Sequence, residues 1–444
     1  MSVEIAERPR RGRPPLRNEI LRSGRLGGVR PDELAGRYGS PVYVYDFDVI
    51  ERQAGALRAA LGPSVEIAYA VKANPSLAVV GHLASLGLGA DVASGGELAL
   101  ALQAGVPADR IVMTGPGKRD DELAAAVGAG IRAITVESVR ELLRLETAAA
   151  AAGRVPSVML RAAVSEDARL ERVRLVGDDG AGKFGMDASD LLEAARRAGR
   201  SRHLRLVGVH AFGASNVLDA GALVGHAAAT VRLARRVALA AGTPLGIVDM
   251  GGGLGIPYEP HEESLDLRRL GSGLAAITAE WAADPLLAGA RLLLEPGRYL
   301  VGPAGAYLAR VVDRKTVDGA IVVILDGGVH HLLRPALVGQ EHRVRVLGDR
   351  SEAGPGGRLQ PVTVAGPLCS GLDVFSHAAV LVPPEVGDLV AVLDVGAYGF
   401  TESMPLFLSH PIPAEVAVRG GRAALIRPRQ EPADWLARQL TPDW

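Results

Sequence analysis

The stretch EIAYAVKANPSLAVVGHLASLGLGADVASGGE, residues 66–97, shows the rhythm that decides the fold. An apolar run at 66–70 is followed by a segment of helical length and periodicity at 75–86, and then by a second apolar run at 89–92. A strand, a helix and a strand in this order form a βαβ unit, whose two strands are parallel. We therefore predict parallel strands joined by helices.

The same alternation continues toward residue 300. Six further apolar runs lie at 111–113, 132–135, 157–161, 206–209, 246–249 and 291–294, and helical segments lie at 120–129, 138–149 and 220–241. Eight βα units within residues 51–300 match the size of a (β/α)8 TIM barrel. The doubly wound open sheet is the alternative, but its Gly-rich fingerprint is missing from the first strand-to-helix turn.

Outside residues 51–300 the pattern changes. Short apolar runs punctuated by Gly and Pro lie at 320–325, 343–346, 362–365, 389–393 and 415–418, so we predict a C-terminal all-β domain over 301–444. The run at 42–45 is also β-prone, and residues 31–50 are predicted to add a strand to that domain. Residues 1–30 are predicted to be a flexible basic tail, since residues 8–30 hold eight arginines against one acidic residue.

Composition narrows the function classes. The chain has 444 residues, 48% hydrophobic and 22% charged, with a formal net charge of −1, so it offers no broad basic field for nucleic acid. A single Arg11-Gly12-Arg13-Pro14 resembles an AT-hook core, and we interpret it as part of the tail. The chain lacks an apolar run of about 18 residues and a secretory h-region, so we predict no membrane partner and a cytoplasmic location. One cysteine, Cys369, excludes an intramolecular disulfide and a thiolate zinc site, and no metal is predicted.

The active site of a (β/α)8 barrel lies at the C-terminal ends of its strands, so the residues that follow each apolar run are the candidates. Lys72, one of only four lysines in the chain, follows the first run. It could pair with a carboxylate or form a Schiff base. Gly251, Gly252 and Gly253 follow the seventh run, where a turn rich in glycine could bind phosphate or be only a tight turn. Glu295-Pro296-Gly297-Arg298 follows the eighth run, and it could be a local ion pair.

Six separated motifs together resemble one family. They are Lys72 in Ala-Val-Lys-Ala-Asn, residues 91–97 as Asp-Val-Ala-Ser-Gly-Gly-Glu, the glycines 251–253, Glu-Pro-Gly-Arg at 295–298, Gly-Pro-Leu-Cys at 366–369 and Gly-Ala-Tyr at 396–398. The chain resembles, from about residue 35 to 420, the fold-type III pyridoxal-phosphate decarboxylases, the family of diaminopimelate and ornithine decarboxylases.

The resemblance implies pyridoxal 5'-phosphate as cofactor, held as an aldimine by Lys72, and decarboxylation through a quinonoid intermediate. The remaining implied cofactor contacts are Asp91, His210, Phe212, Ser215, Gly251, Gly252, Gly253, Glu295, Arg298 and Tyr398. Glu295 would lie on the pyridine nitrogen and keep it protonated, which strengthens the ring as an electron sink. Racemases of the same fold carry an arginine there, so Glu295 favours a decarboxylase.

The family also implies a homodimer with shared active sites. Cys369 lies in the segment that reaches the partner's site, and its implied role is to give a proton to Cα after CO2 leaves. The implied substrate contacts are Arg298, Arg334, Ser370, Asp373 and Tyr398.

Departures from the family pattern bear on the substrate. Phe212 stands where family members usually stack a histidine on the pyridine ring, and Ser370 stands where they carry an acidic residue for a distal amine. Val338 replaces a tyrosine and Ser409-His410-Pro411 replaces an arginine of the diaminopimelate enzymes, whereas Arg334 is kept. We therefore expect an amino acid whose far end is acylated or extended, as in specialised-metabolite or siderophore pathways. A diaminopimelate decarboxylase proper, a racemase and a non-catalytic partner-binding homologue are the alternatives.

Overall fold

The computed structural model of the protein describes residues 23–163, 182–348 and 358–444. Its strands are β1 Val42–Asp46, β2 Val65–Ala70, β3 Gly89–Val92, β4 Ile111–Met113, β5 Ala133–Val136, β6 Ser157–Arg161, β7 Arg205–His210, β8 Ile247–Asp249, β9 Arg291–Leu294, β10 Gly305–Val317, β11 Ala320–Leu325, β12 Val344–Val346, β13 Gln360–Ala365, β14 Val374–Leu381, β15 Leu389–Leu393, β16 Ala414–Arg419 and β17 Arg422–Arg427. Its helices are α1 Pro31–Tyr38, α2 Phe47–Leu61, α3 Leu77–Ser85, α4 Gly95–Gln103, α5 Asp120–Ala129, α6 Val139–Ala152, α7 Ala188–Arg200, α8 Ala220–Ala241, α9 Leu267–Trp281, α10 Arg298–Val301, α11 Arg334–Val338 and α12 Pro432–Leu436.

The predicted (β/α)8 barrel is confirmed. Strands β2 to β9 pair in chain order, all parallel, and β9 closes the barrel against β2. The barrel interior is filled by a separate apolar cluster to which most of its strands contribute. This cluster consists of Ala68, Val112, Ala133, Met159, Ile247 and Leu293. A packed interior leaves only the ends of the barrel open to a ligand.

Local sequence signals set where the barrel helices start and stop. Ser94 and Ser138 cap α4 and α6 by accepting hydrogen bonds from the amides of Glu97 and Glu141, at 3.1 and 3.0 Å. Helices α6 and α8 end at Gly153 and Gly242, both in the left-handed conformation that glycine adopts without strain. These caps hold the loops after β3 and β5 close to the barrel mouth.

The predicted all-β domain forms a nine-stranded sheet within the described ranges, with β14, β13, β11, β10, β1, β16 and β17 in line and with β15 joining β10 to β12. Strand β1, from the N-terminal side of the barrel, lies between β10 and β16 and is buried along its whole length. The β-domain is thus built from both ends of the chain.

The tail prediction is wrong for its last residues. Leu26 and Val29 are buried, form a bridge to each other, and pack in one cluster with Leu34 and Val418. Two apolar side chains within an Arg-rich segment are enough to fix it against the sheet, because each removes apolar surface from water. The AT-hook-like motif lies outside the described residues.

Three strands of the β-domain were not predicted: β10, β14 and β17. Strand β10 is buried over its first half and exposed over its second, where charged residues interrupt the apolar run, so it lacks a uniform pattern. Among the described residues, no helix is long and apolar enough to cross a membrane.

Candidate active site

Lys72 lies at the mouth of the barrel, in the single turn that follows β2. Its Nζ lies 2.9 Å from Oδ2 of Asp91, at the end of β3, and Oδ1 of Asp91 accepts a hydrogen bond from Thr114 Oγ1 at 2.7 Å. Partial desolvation at the barrel mouth lowers the pKa of Lys72, but the carboxylate of Asp91 first, and then the neighbouring Tyr398 and Glu295, raise it above its ordinary value. The buried Asp91 therefore orients the Lys72 ammonium and is the carboxylate nearest its proton.

Glu295, Asp249 and His210 form a buried acidic cluster below Lys72. One ring nitrogen or carboxylate oxygen from each residue lies within 4.8 Å of those of the other two, and His210 Nε2 lies 3.3 Å from Glu295 Oε2. Burial and the neighbouring Glu295 raise the pKa of Asp249 well above its usual value. Burial also works to raise the pKa of Glu295, but His210, Lys72 and a hydrogen bond from Asp249 lower it to about 2. The pKa values of the two neighbouring acids are therefore pushed apart, and Glu295 is the one that is held ionised.

The glycine run after β8 wraps tightly around the ends of neighbouring strands. Gly251 and Gly253 have φ of 67° and 95°, a region that side chains rarely adopt. A Cβ on Gly252 would lie 2.3 Å from the carbonyl oxygen of Glu295, and one on Gly251 would lie 3.0 Å from the ring of Phe212. The run is therefore a built loop that leaves no room for side chains, and Phe212 packs directly against it.

Arg298 is the buried cation of the site. Its Nη1 donates to Tyr258 Oη at 2.8 Å and its Nη2 to Ser215 Oγ at 3.3 Å. Its Nε is buried without a hydrogen-bond partner. The ring of Tyr398 lies 4.8 Å from the guanidinium carbon. Arg298 therefore has donor capacity left beside the glycine loop.

The β-domain closes one side of the site. The Tyr398 amide donates to Ala73 O at 2.7 Å, and Asn74 Nδ2 donates to Gly396 O at 3.1 Å, so the loop after β15 is attached next to Lys72. The guanidinium carbon of Arg334 also lies near the Tyr398 ring, 4.9 Å from its centre. Arg334 Nη1 donates to both carboxylate oxygens of Glu402, at 3.0 and 2.7 Å.

The Cys369 loop lies apart from this cluster. Cys369 is exposed between β13 and β14, and in the described ranges no hydrogen bond or ring contact joins its loop to Lys72, Glu295 or Arg298. Asp373 is buried, with Oδ1 accepting from the Val329 amide at 2.6 Å and Oδ2 from the Leu368 amide at 2.7 Å. Asp373 therefore holds the loop in shape, and its contact with substrate stays a prediction, as does that of Ser370.

Sequence reasoning missed several residues of the site. Thr114 follows β4 and Arg161 is the last residue of β6, so the rule that selected Lys72 could have found both. Arg161 Nη1 donates to Glu137 Oε1 at 2.7 Å in a buried ion pair. Tyr258 lies beyond the glycine run, and Glu402 ends a single 3-10 turn, Phe400–Glu402, in the β-domain. For those two residues the sequence carries no periodic signal.

The residues present fit pyridoxal phosphate. Glu295 is a buried carboxylate whose pKa is lowered to about 2, and an ionised acceptor of this kind suits a protonated pyridine nitrogen. Arg298 Nε is a buried donor without an acceptor, and with Ser215 and the glycine loop it suits a phosphate group. Lys72 would supply the amine for the aldehyde carbon. The site thus offers one partner for each polar part of the cofactor.

This arrangement defines what the chain itself contributes to chemistry. Pyridoxal phosphate, when bound, supplies an electron-accepting ring for the electron pair that a departing carboxylate leaves behind. Glu295, held ionised by His210, Lys72 and Asp249, would keep the ring nitrogen of the bound cofactor protonated. Asp91, held by Thr114, orients Lys72, while Arg298 and the glycine loop would hold the phosphate of the cofactor.

Comparisons with known proteins agree with this geometry. Residues 47–302 match the family model described as "Pyridoxal-dependent decarboxylase, pyridoxal binding domain". The chain is 35% identical over 419 residues to the L-glutamyl-[BtrI acyl-carrier protein] decarboxylase of Niallia circulans, covering 92% of this chain and 95% of that protein. It is 33% identical over 420 residues to the diaminopimelate decarboxylase of Zymomonas mobilis, covering 93% and 95%.

Solved structures lead to the same family. The crystal structure of diaminopimelate decarboxylase from M. jannaschi superposes with a TM-score of 0.83 at 29% identity, covering 94% of this chain and 95% of that one. The Helicobacter pylori diaminopimelate decarboxylase complexed with L-lysine gives a TM-score of 0.82 at 31% identity, covering 92% and 98%. With the cluster around Lys72 and the match to the family model, these likenesses show that the chain belongs to the pyridoxal-phosphate-dependent decarboxylases of fold-type III and is an amino-acid carboxy-lyase.

Proposed function

We propose that this decarboxylase removes the α-carboxylate of an amino acid whose far end is covalently extended, rather than that of free diaminopimelate or ornithine. In this proposal Lys72 carries the cofactor, Glu295 faces its ring nitrogen, and Ser215, Arg298 and the glycine loop hold its phosphate. The observation that carries the choice of substrate is that Arg334 is already neutralised by Glu402.

Two further features support an extended substrate. Ser370 follows Cys369, so the loop offers a hydroxyl where a distal ammonium would need a carboxylate. An unpaired ammonium loses a charge-assisted hydrogen bond of roughly 1.5–3 kcal/mol. One relative, 35% identical, acts by its name on a glutamyl group carried by an acyl-carrier protein, a substrate of the extended kind.

Release of CO2 by the holoenzyme tests this proposal. The probes are meso-diaminopimelate, ornithine, free glutamate and the γ-thioester of glutamate with N-acetylcysteamine. We expect kcat/KM for the thioester to exceed that for each free amino acid by at least about tenfold, since only the thioester lacks a charged far end. Fastest turnover of diaminopimelate would instead make the chain a diaminopimelate decarboxylase.

We also propose that the enzyme is a homodimer in which Cys369 of the partner subunit completes the site and delivers the proton to Cα. The exposed thiol and its separation from Lys72 within one chain support this arrangement. Mixing inactive Lys72→Ala and Cys369→Ala chains tests it, because one of the two sites in a mixed dimer has both residues. Recovery toward one quarter of wild-type activity is expected for random mixing. No recovery, with mixed dimers shown to form, rules out shared sites.

A further inference from the structure

Arg334 forms the wall of the site beyond Tyr398. The Tyr398 ring has Arg298 at 4.8 Å and Arg334 at 4.9 Å, and the Tyr398 amide is bonded to Ala73, next to Lys72. The side chain of Arg334 is only 8% exposed. A substrate that starts at Lys72 and extends past Tyr398 therefore meets the Arg334 guanidinium and the groups bound to it.

The charge of Arg334 is compensated within the chain. Its Nη1 contacts both oxygens of Glu402, whose side chain remains 32% exposed, and the Glu402 charge also acts on Arg298. A free carboxylate on the substrate would bring a second negative charge beside Glu402, while Arg334 is already paired with Glu402 and Arg298 is assigned to the cofactor phosphate. Like charges at this distance disfavour each other, and more so where water is excluded.

Gln340, which is also bound to Arg334, offers a hydrogen-bond donor where Glu402 offers a negative charge. Arg334 Nε donates to Gln340 Oε1 at 3.3 Å, which fixes the orientation of the amide, because a flipped amide would set N–H against N–H. Gln340 Nε2 is then a buried donor without a partner. A donor of this type suits the carbonyl oxygen of an uncharged group.

We propose that Glu402 is a specificity-determining residue, which reserves this end of the site for a neutral carbonyl-bearing group, such as an ester, amide or thioester, and excludes a free carboxylate. The inference rests on the proposed function and refines it, since it names the chemistry of the far end. It treats Gln340 as the donor to that carbonyl.

A matched pair of ligands tests the role of Glu402: L-glutamate and its γ-methyl ester, which differ only in the charge of the far end. Dissociation constants are read from the absorbance change of the bound cofactor, alongside KM and kcat for CO2 release. We expect the wild-type holoenzyme to bind the ester at least about tenfold more tightly. Glu402→Gln should tighten glutamate binding about tenfold and change ester binding less than about threefold, because Arg334 then becomes available to a carboxylate.

Glu341→Gln is the matched control, since Glu341 is an exposed carboxylate of the adjacent segment, and it should leave the ratio of the two constants unchanged. The inference is overturned if Glu402→Gln does not bind glutamate more tightly than the wild type does. It is also overturned if neither protein binds glutamate. Equal weakening of both ligands with a lower Tm overturns it as well, since that result indicates a structural ion pair only. Should Glu402→Gln fail to fold, Glu402→Asp keeps the charge and must keep the wild-type ratio. The ratio is informative even if the natural substrate proves to be diaminopimelate, so failure of the proposed function is distinguishable.

Discussion

Lys72 is half-exposed, whereas the carboxylates that control it are buried. Its side chain is 46% exposed, and that of Asp91 is fully buried. This contrast keeps the amine accessible to an incoming aldehyde while the groups that orient it cannot move. Lys72 thus combines an accessible amine with a buried carboxylate partner, and we expect that none of the other lysines can take over its role.

Replacement of Lys72 tests its covalent role. Lys72→Ala should abolish turnover and the visible absorbance of covalently bound cofactor, because the chain loses the amine that holds the aldehyde. Lys315→Ala is the control, since Lys315 is exposed on β10, and it should leave the spectrum unchanged. Lys118 is a poor control, because it is buried and paired with Glu141 at 2.8 Å. A visible band that survives in Lys72→Ala would assign the covalent bond to another residue.

The second prediction concerns the negative charge of Glu295. Glu295→Gln should retain cofactor but slow CO2 release by about 10²-fold or more, because the ring nitrogen loses the anion that keeps its proton. Since the pKa of Glu295 is lowered to about 2, Glu295 is ionised throughout the neutral range and adds no pH dependence to kcat there. Stopped-flow spectra and CO2 release check both statements. Unchanged turnover in the variant would contradict them.

Elements of the barrel, and strand β1 of the β-domain, were readable from sequence because each shows a regular pattern of apolar residues. The run predicted at 66–70 is β2, the helix predicted at 120–129 is α5, and the run at 42–45 is β1. Each strand and helix buries one face or both, and this burial requires apolar residues at regular spacing along the sequence. Segments fixed by single contacts leave none: the packing of Leu26, the Tyr258 bond to Arg298 and the Glu402 pair with Arg334 all depend on residues distant in sequence.

The glycine loop after β8 gives the third prediction. Gly252→Ala places a Cβ 2.3 Å from the Glu295 carbonyl oxygen, so the loop must shift away from β9. We expect a loss of about 1–3 kcal/mol in the free energy of unfolding and at least about tenfold weaker cofactor binding. Gly117→Ala, whose Cβ meets nothing within 4 Å, is the control. Urea unfolding and cofactor titration measure the two effects, and equal behaviour of the two variants would show that the close approach is harmless.

At the scale of the whole molecule, buried histidines of the β-domain couple stability to pH. His330 is fully buried, both its ring nitrogens lack partners, and its ring lies 3.7 Å from that of His331. Burial first, and then His410, lowers the pKa of His330 from 6.5 to about 4. Between these values the unfolded chain binds a proton that the folded chain does not, so stability falls as pH falls.

Replacement of His330 isolates this effect, because the carboxyl groups are common to both proteins. Between pH 6 and 4.5 the wild type should lose about 1 kcal/mol more per pH unit than His330→Phe, as measured by urea unfolding. His377→Gln, at an exposed position on β14, should follow the wild type. Parallel curves for wild type and His330→Phe would mean that His330 titrates normally.

The position of β1 between β10 and β16 has a consequence for biosynthesis. A ribosome releases β1 before any of the barrel, yet both of its pairing partners are made only after the barrel is complete. Throughout that interval a strand whose five residues all belong in the interior has two open edges. The strand that is made first is therefore among the last to be paired, and folding of the β-domain must wait until residues 305–317 and 414–419 have been synthesised.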